Sequence, residues 1–200
     1  NAGNDFVGAV DLSGSGIQLA DRNDLSIAAV HNGNNAALSL LADGSLDLPG
    51  GAIDTGSGDL NLVARHGTLR LGGALSGHTL TLSGGSGLTL SNDVAATGDL
   101  QLSTDNAAIV QSGGALTVGG SSTLTTGSGS IALTGAGNHF GGMVDIAGGA
   151  VQLRDSGALT LGTLSVDSLA VRSGGTLSLG GGSVRGALQA DSGNAAIGQR

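Results

Sequence analysis

Fifteen aspartates, seven arginines and four histidines are the side chains of this 200-residue chain that could carry acid–base, ion-binding or metal chemistry; Glu, Lys and Cys do not occur. Without Cys there are no thiolate metal sites, sulfur nucleophiles or disulfides. His31, His66, His78 and His139 lie far apart and form neither His-x-x-x-His nor His-Glu-x-x-His, the spacings that bring two imidazoles onto one helix face. They read as surface or turn residues. Gly56-Ser57-Gly58-Asp59-Leu60 has the Gly/Asp character of calcium-binding solenoids but departs from the Gly-Gly-x-Gly-x-Asp-x-apolar-x repeat and does not recur. Asp43, Asp54, Asp59 and Asp105 therefore read as turn formers, and calcium dependence is not expected. Glycoside hydrolysis needs two carboxylates roughly 5 to 10 Å apart, and lyase chemistry wants a basic side chain beside carboxylates. If the chain is wound into coils of about 20 residues, Asp47 and Arg70 occupy matching outward positions on adjacent coils. They read as a solvated charge pair. No catalytic, cofactor-binding or metal-ligating residue is assigned, and the chain is not expected to be an enzyme.

The elements that must position these groups announce themselves by an apolar-x-apolar beat. One row runs through Ile17-Gln18-Leu19, Leu38-Ser39-Leu40, Leu60-Asn61-Leu62, Leu80-Thr81-Leu82 and Leu100-Gln101-Leu102. A second runs through Leu25-Ser26-Ile27, Leu46-Asp47-Leu48, Leu69-Arg70-Leu71 and Leu88-Thr89-Leu90. Alternation marks a short strand with one buried face, and a fixed period of about 20 residues marks a repeat architecture. The fold expected is all-β: a single-stranded right-handed parallel β-helix, a solenoid with coils of about 19–22 residues, filling residues 1–200 as one segment. Its middle residues, among them Gln18, Asp47, Asn61, Arg70 and Gln101, should point outward and stack in ladders. Nine or ten coils at the β spacing of about 4.8 Å would make a rod of roughly 40 to 50 Å.

Composition agrees. Leu, Val and Ile number 49 and Gly 40, whereas aromatics are 1%. An aliphatic core is thus available, and each buried side chain contributes roughly 1.5 to 3 kcal/mol before entropy. Asp, Asn, Gly and Ser favour turns. The net charge of −8 argues against nucleic acid as a partner, which needs a basic patch. No apolar run approaches the roughly 20 residues of a membrane-spanning helix, so membrane insertion is not expected.

A longer repeat is superimposed. Ala2-Gly3-Asn4-Asp5-Phe6-Val7-Gly8 returns as Ala136-Gly137-Asn138-His139-Phe140-Gly141-Gly142, and the match continues through Ile17 against Val151, Asp21 against Asp155 and Leu25 against Leu159. Phe6 and Phe140, the only aromatics, should be matching core plugs. Asn106-Ala107-Ala108-Ile109 is echoed by Asn194-Ala195-Ala196-Ile197, a separation that reads as four coils of about 22 residues. Between positions 103 and 135 or so, Leu116-Thr117-Val118, Leu124 and Ile131-Ala132-Leu133 crowd together and the beat becomes irregular.

The segments Asn4 to Leu12, Gln111 to Gly120 and Leu124 to Asn138 resemble filamentous haemagglutinin-like large exoproteins, Gram-negative adhesins exported by two-partner secretion. The resemblance covers essentially the whole chain, although the Asn-Pro-Asn-Gly motif of their secretion module has no match. It implies a right-handed β-helical shaft, a secreted or cell-surface location, an outer-membrane secretion partner for the parent, and attachment to host-cell or matrix glycans and proteins, including biofilm matrix. It transfers no active residue. A carbohydrate-active β-helix of lyase or hydrolase type is the alternative, and a lattice- or glycan-binding solenoid another. A lattice binder would carry a regular Thr row, whereas Thr81, Thr89, Thr117 and Thr160 stand isolated. The segment is expected to be excerpted from a longer exoprotein and to self-associate end to end, because terminal coils present open strand edges.

Overall fold

The computed structural model describes residues 3–199, and among them every regular element is a β-strand. The strands pair in parallel with the strands one coil before and after, giving a β-solenoid of about ten coils. Each full coil has three faces. On face A, nine strands stack in the order Ile17–Asp21, Leu38–Ala42, Leu60–Ala64, Leu80–Gly84, Leu100–Ser103, Ser122–Thr125, the Val144 region, the Leu164 region and Gly182–Val184. Face B follows in each coil, with Leu25, Leu46, Leu69, Leu88, Ile109, Ile131, Val151, Leu169 and Leu188 in one column. Both rows expected from the sequence are thus present and in register.

Face C was not expected as a separate row. Its central part is a five-stranded sheet of Ile53–Asp54, Leu75–Gly77, Val94–Ala96, Leu116–Val118 and His139–Phe140. The third face removes the irregularity anticipated between 103 and 135. Leu116 lies on face C over Val94, Leu124 on face A over Leu102, and Ile131 on face B over Ile109. All three steps have the same length, that of one regular coil.

The core is the inside of this prism. Leu40, Leu62, Leu82, Leu102 and Leu124 stack with no exposed surface, and Ala42 and Ala64 form the neighbouring column, where less room is left. The alternation dictates this. Side chains two apart on a strand share a face, so Leu80 and Leu82 point in while Thr81 points out, as their burial shows. All nine middle residues named by the beat lie on the outer surface, from Gln18 to Gln101.

Coil length is not constant, however. The coil from Leu46 to Leu69 is the longest on face B, and that from Val151 to Leu169 the shortest. The shortening occurs where Met143–Asp155 and Leu159–Ser173 run as strands of 13 and 15 residues that bend from face to face without a separate turn. One expectation falls with it. Ile197 belongs to the column of Leu177 on face C, not to that of Ile109 on face B. The echo of Asn106–Ile109 at Asn194–Ile197 is therefore four coils and one further face away. In the longer repeat, likewise, Ile17 sits on face A and its counterpart Val151 on face B. The second copy is rotated by one face relative to the first.

Candidate functional site: outward ladders and buried corners

The groups singled out in the sequence are spread along the rod. Asp47 and Arg70 are ladder partners on face B, with Oδ1 3.6 Å from Nε and both side chains exposed. Such a pair contributes little, about 0 to 1 kcal/mol. Arg185 and Asp167 repeat the arrangement at 3.4 Å, and Arg172 and Asp191 at 3.5 Å. His66 places Nδ1 3.0 Å from the Asp43 carbonyl oxygen, and His78 places Nδ1 3.3 Å from the Thr97 hydroxyl. His31 is exposed on Leu25–Asn32. Only His139 stands beside a buried acid, with Nδ1 3.9 Å from Asp155 Oδ1. Among the described residues no three His, Asp or Glu side chains are grouped to hold a metal.

Most aspartates at the corners have a structural task. Oδ1 of Asp24, Asp59, Asp93, Asp99 and Asp145 accepts a backbone N–H from the next coil, from Ser45, Thr79, Ala115, Ser121 and Thr163, at 2.6 to 3.1 Å. A carboxylate is a strong acceptor for orphan N–H groups, so these bonds stitch neighbouring coils along the axis. Asn35 and Asn106 do the same for Ser57 and Ser128. Asp54 closes its own turn, accepting the Gly56 N–H at 2.9 Å. That bond first, and the Ser76 hydroxyl second, hold its carboxyl below the usual range. Asp5 is held low by hydrogen bonds from Arg22 and then Asn23, and by the Arg22 charge.

Two buried arrangements were not anticipated. The first is a four-residue corner. Thr55, Thr126 and Ser192 are buried, and each hydroxyl donates to the carbonyl three residues on, at Gly58, Gly129 and Ala195, over 2.6 to 2.8 Å. The return N–H donates to the Thr or Ser carbonyl at 2.8 to 3.1 Å. The second residue, Gly56, Gly127 or Gly193, has φ of 57 to 63°, a conformation glycine adopts without a Cβ penalty. Thr104-Asp105-Asn106-Ala107 is a variant, with φ of 60° at Asn106 and the Thr104 hydroxyl on Ala107. The coil above must leave room: a Cβ on Gly77 would stand 2.3 Å from Thr55 Oγ1, and one on Gly148 2.5 Å from Thr126 Oγ1.

The second arrangement is the heart of the long repeat. Asp155 is 1% exposed, and its oxygens accept the N–H groups of Phe140 and Gly157, both at 2.6 Å. Asp21 does the same for Phe6 at 3.3 Å and Arg22 at 2.8 Å. The Asn138 and Asn4 carbonyls accept the N–H of the residue after each acid, Ser156 and Arg22. Asn138, fully buried, also accepts from Leu116 N–H and exchanges hydrogen bonds with the Gln111 carboxamide. The recurrence of Asn-x-Phe, followed at the same distance by Asp21 in one copy and Asp155 in the other, was visible in the sequence. The role was hidden because Asp reads as a surface residue until its partners are known.

The fold thus defines a β-solenoid whose repeat unit is a strand plus corner. Residues 77–147 and 148–199 each match the family described as repeats of unknown function, DUF5649. The chain belongs to that family. No curated protein and no solved structure matched it.

Proposed function

We propose that this segment is a non-enzymatic shaft of a secreted bacterial surface adhesin, which holds binding surfaces away from the cell and contributes to attachment to host cells or matrix. The observation that carries the reading is the continuous parallel stack on face A from Ile17 to Gly182, in register but for one shift between Val144 and Ile146. Each coil contacts its neighbours, so added copies add length without altering those already present. A rod of that kind is a spacer, and its outward ladders are repeated, solvent-facing contact surfaces. The resemblance to filamentous haemagglutinin-like exoproteins supports the same role and the surface location. An antibody raised against the chain should label intact producing cells or the material they shed. Labelling that appears only after permeabilisation would overturn the proposal.

A further inference from the structure

Charged side chains that meet in register on this solenoid are opposite in three places: Asp47 with Arg70, Asp167 with Arg185, and Arg172 with Asp191. Arg154 breaks the pattern, because its partner on the next coil is Arg172. Strands about 4.8 Å apart bring these two cations side by side, and like charges directly opposite in a sheet destabilise it. The chain has fifteen aspartates to draw on, yet no carboxylate among the described residues forms an ion pair with half-buried Arg154. The pair borders a shallow groove of about 340 Å³ on the outer surface. Along it, Gln152, Ala170 and Gln189 form a ladder, the small Ala170 leaving space between two carboxamides.

We propose that this groove binds a linear carboxylate-bearing polysaccharide, a polyuronate, with one sugar carboxylate taken by Arg154 and Arg172 and neighbouring hydroxyls by Gln152 and Gln189. Guanidinium groups match carboxylates in a planar, two-point fashion. A carboxamide both donates and accepts, as a sugar hydroxyl does. Asp191, 3.5 Å from Arg172, leaves one net positive charge in the groove, and the protein as a whole carries −8. That balance suits one carboxylate per sugar and opposes a densely sulfated chain. The groove follows the coil stack, so it is suited to a polymer. This inference goes beyond the shaft role and does not depend on it: intracellular staining would defeat the latter and leave binding by the purified chain untouched.

The test is calorimetric titration of the purified chain at low ionic strength with an oligogalacturonate, its methyl ester and dextran sulfate. The oligogalacturonate should bind and its neutral ester should not. Arg154→Gln should weaken binding by roughly tenfold, about 1.4 kcal/mol, with an unchanged circular dichroism spectrum, and Arg154→Lys should recover part of the loss. Arg185→Gln, on a different face, should stay within about twofold. Asp191→Asn, which frees Arg172, should tighten binding and provides an independent reading if Arg154→Gln does not fold. The proposal is overturned if the wild-type chain does not bind oligogalacturonate, if Arg154→Gln binds as tightly, if Asp191→Asn leaves affinity unchanged, or if dextran sulfate binds equally well.

Discussion

Ser122 stands in an aliphatic column between Leu100 and Val144, is 1% exposed, and its hydroxyl has no hydrogen-bond partner. A buried hydroxyl without a partner costs about 1 to 3 kcal/mol, and alanine removes it without adding volume. Ser122→Ala should raise stability by about 1 kcal/mol in denaturant melts; a loss would mean that a water serves the hydroxyl. The two phenylalanines part company in the same way. Phe140 is 1% exposed, whereas Phe6 is only half-buried against the core. Phe140→Ala should therefore cost about 3 to 5 kcal/mol and Phe6→Ala less than half of that. Equal losses would show that the repeat equalises packing as well as hydrogen bonding. Asp54 carries a pH dependence. Its folded-state carboxyl is lowered by the Gly56 N–H and the Ser76 hydroxyl, so its contribution is present above the ordinary carboxylate range and lost as pH falls through the lowered value. The melting-temperature gap between wild type and Asp54→Ala should be full at neutral pH and close in acid. A gap independent of pH would assign the effect to turn geometry alone.

At the scale of the element, the Thr/Ser corner explains both what the sequence disclosed and what it concealed. Thr55 leads from face C to face A, Thr126 from face A to face B, and Ser192 from face B to face C. One local structure turns every edge of the prism. The exchangeable unit is consequently one side of a coil, and a copied stretch keeps its hydrogen bonds even when inserted one face further round. Leu-x-Leu triplets were legible because two large side chains flank a polar one. Face C was not, because Val94-Ala95-Ala96 and His139-Phe140 offer one large inward residue each and the alternation fades. The groove at Arg154 was illegible for another reason: in-register stacking depends on coil length, and the coil from Val151 to Leu169 is shorter than any other on its face. The corner itself makes a test. Gly77→Ala drives its new Cβ against Thr55 Oγ1, 2.3 Å away, and should destabilise by about 1 to 3 kcal/mol. Thr55→Ala relieves that contact, so a double-mutant cycle should give a coupling of about 1 kcal/mol or more. Strict additivity would mean that the glycine is needed for the backbone alone.

For the molecule as a whole, stability is shared between neighbours along one axis, and the nine strands of face A span about 40 Å at the β spacing. In a nearly one-dimensional stack each interior coil has two partners, and opening it breaks two interfaces, whereas a coil with one partner opens at the cost of one. In the 200-residue polypeptide taken by itself, burial carries that signature. Leu40, Leu62, Leu82, Leu102 and Leu124 have no exposed surface, while Leu188 and Ile197, inward members of the last described coil, are 49% and 48% exposed. Native-state hydrogen exchange on that 200-residue polypeptide should reproduce the gradient. Amides of Leu60–Ala64, Leu80–Gly84 and Leu100–Ser103 should exchange last, and those of Leu188–Asp191 and Ile197–Gln199 first, by local opening well below the global unfolding free energy. Denaturant at low concentration should narrow the difference, because interior opening exposes more surface than fraying of one coil and its free energy falls more steeply. Uniform protection from Leu60 to Gln199 would mean that the coils unfold as one block, and the picture of independent stacked units would have to be given up.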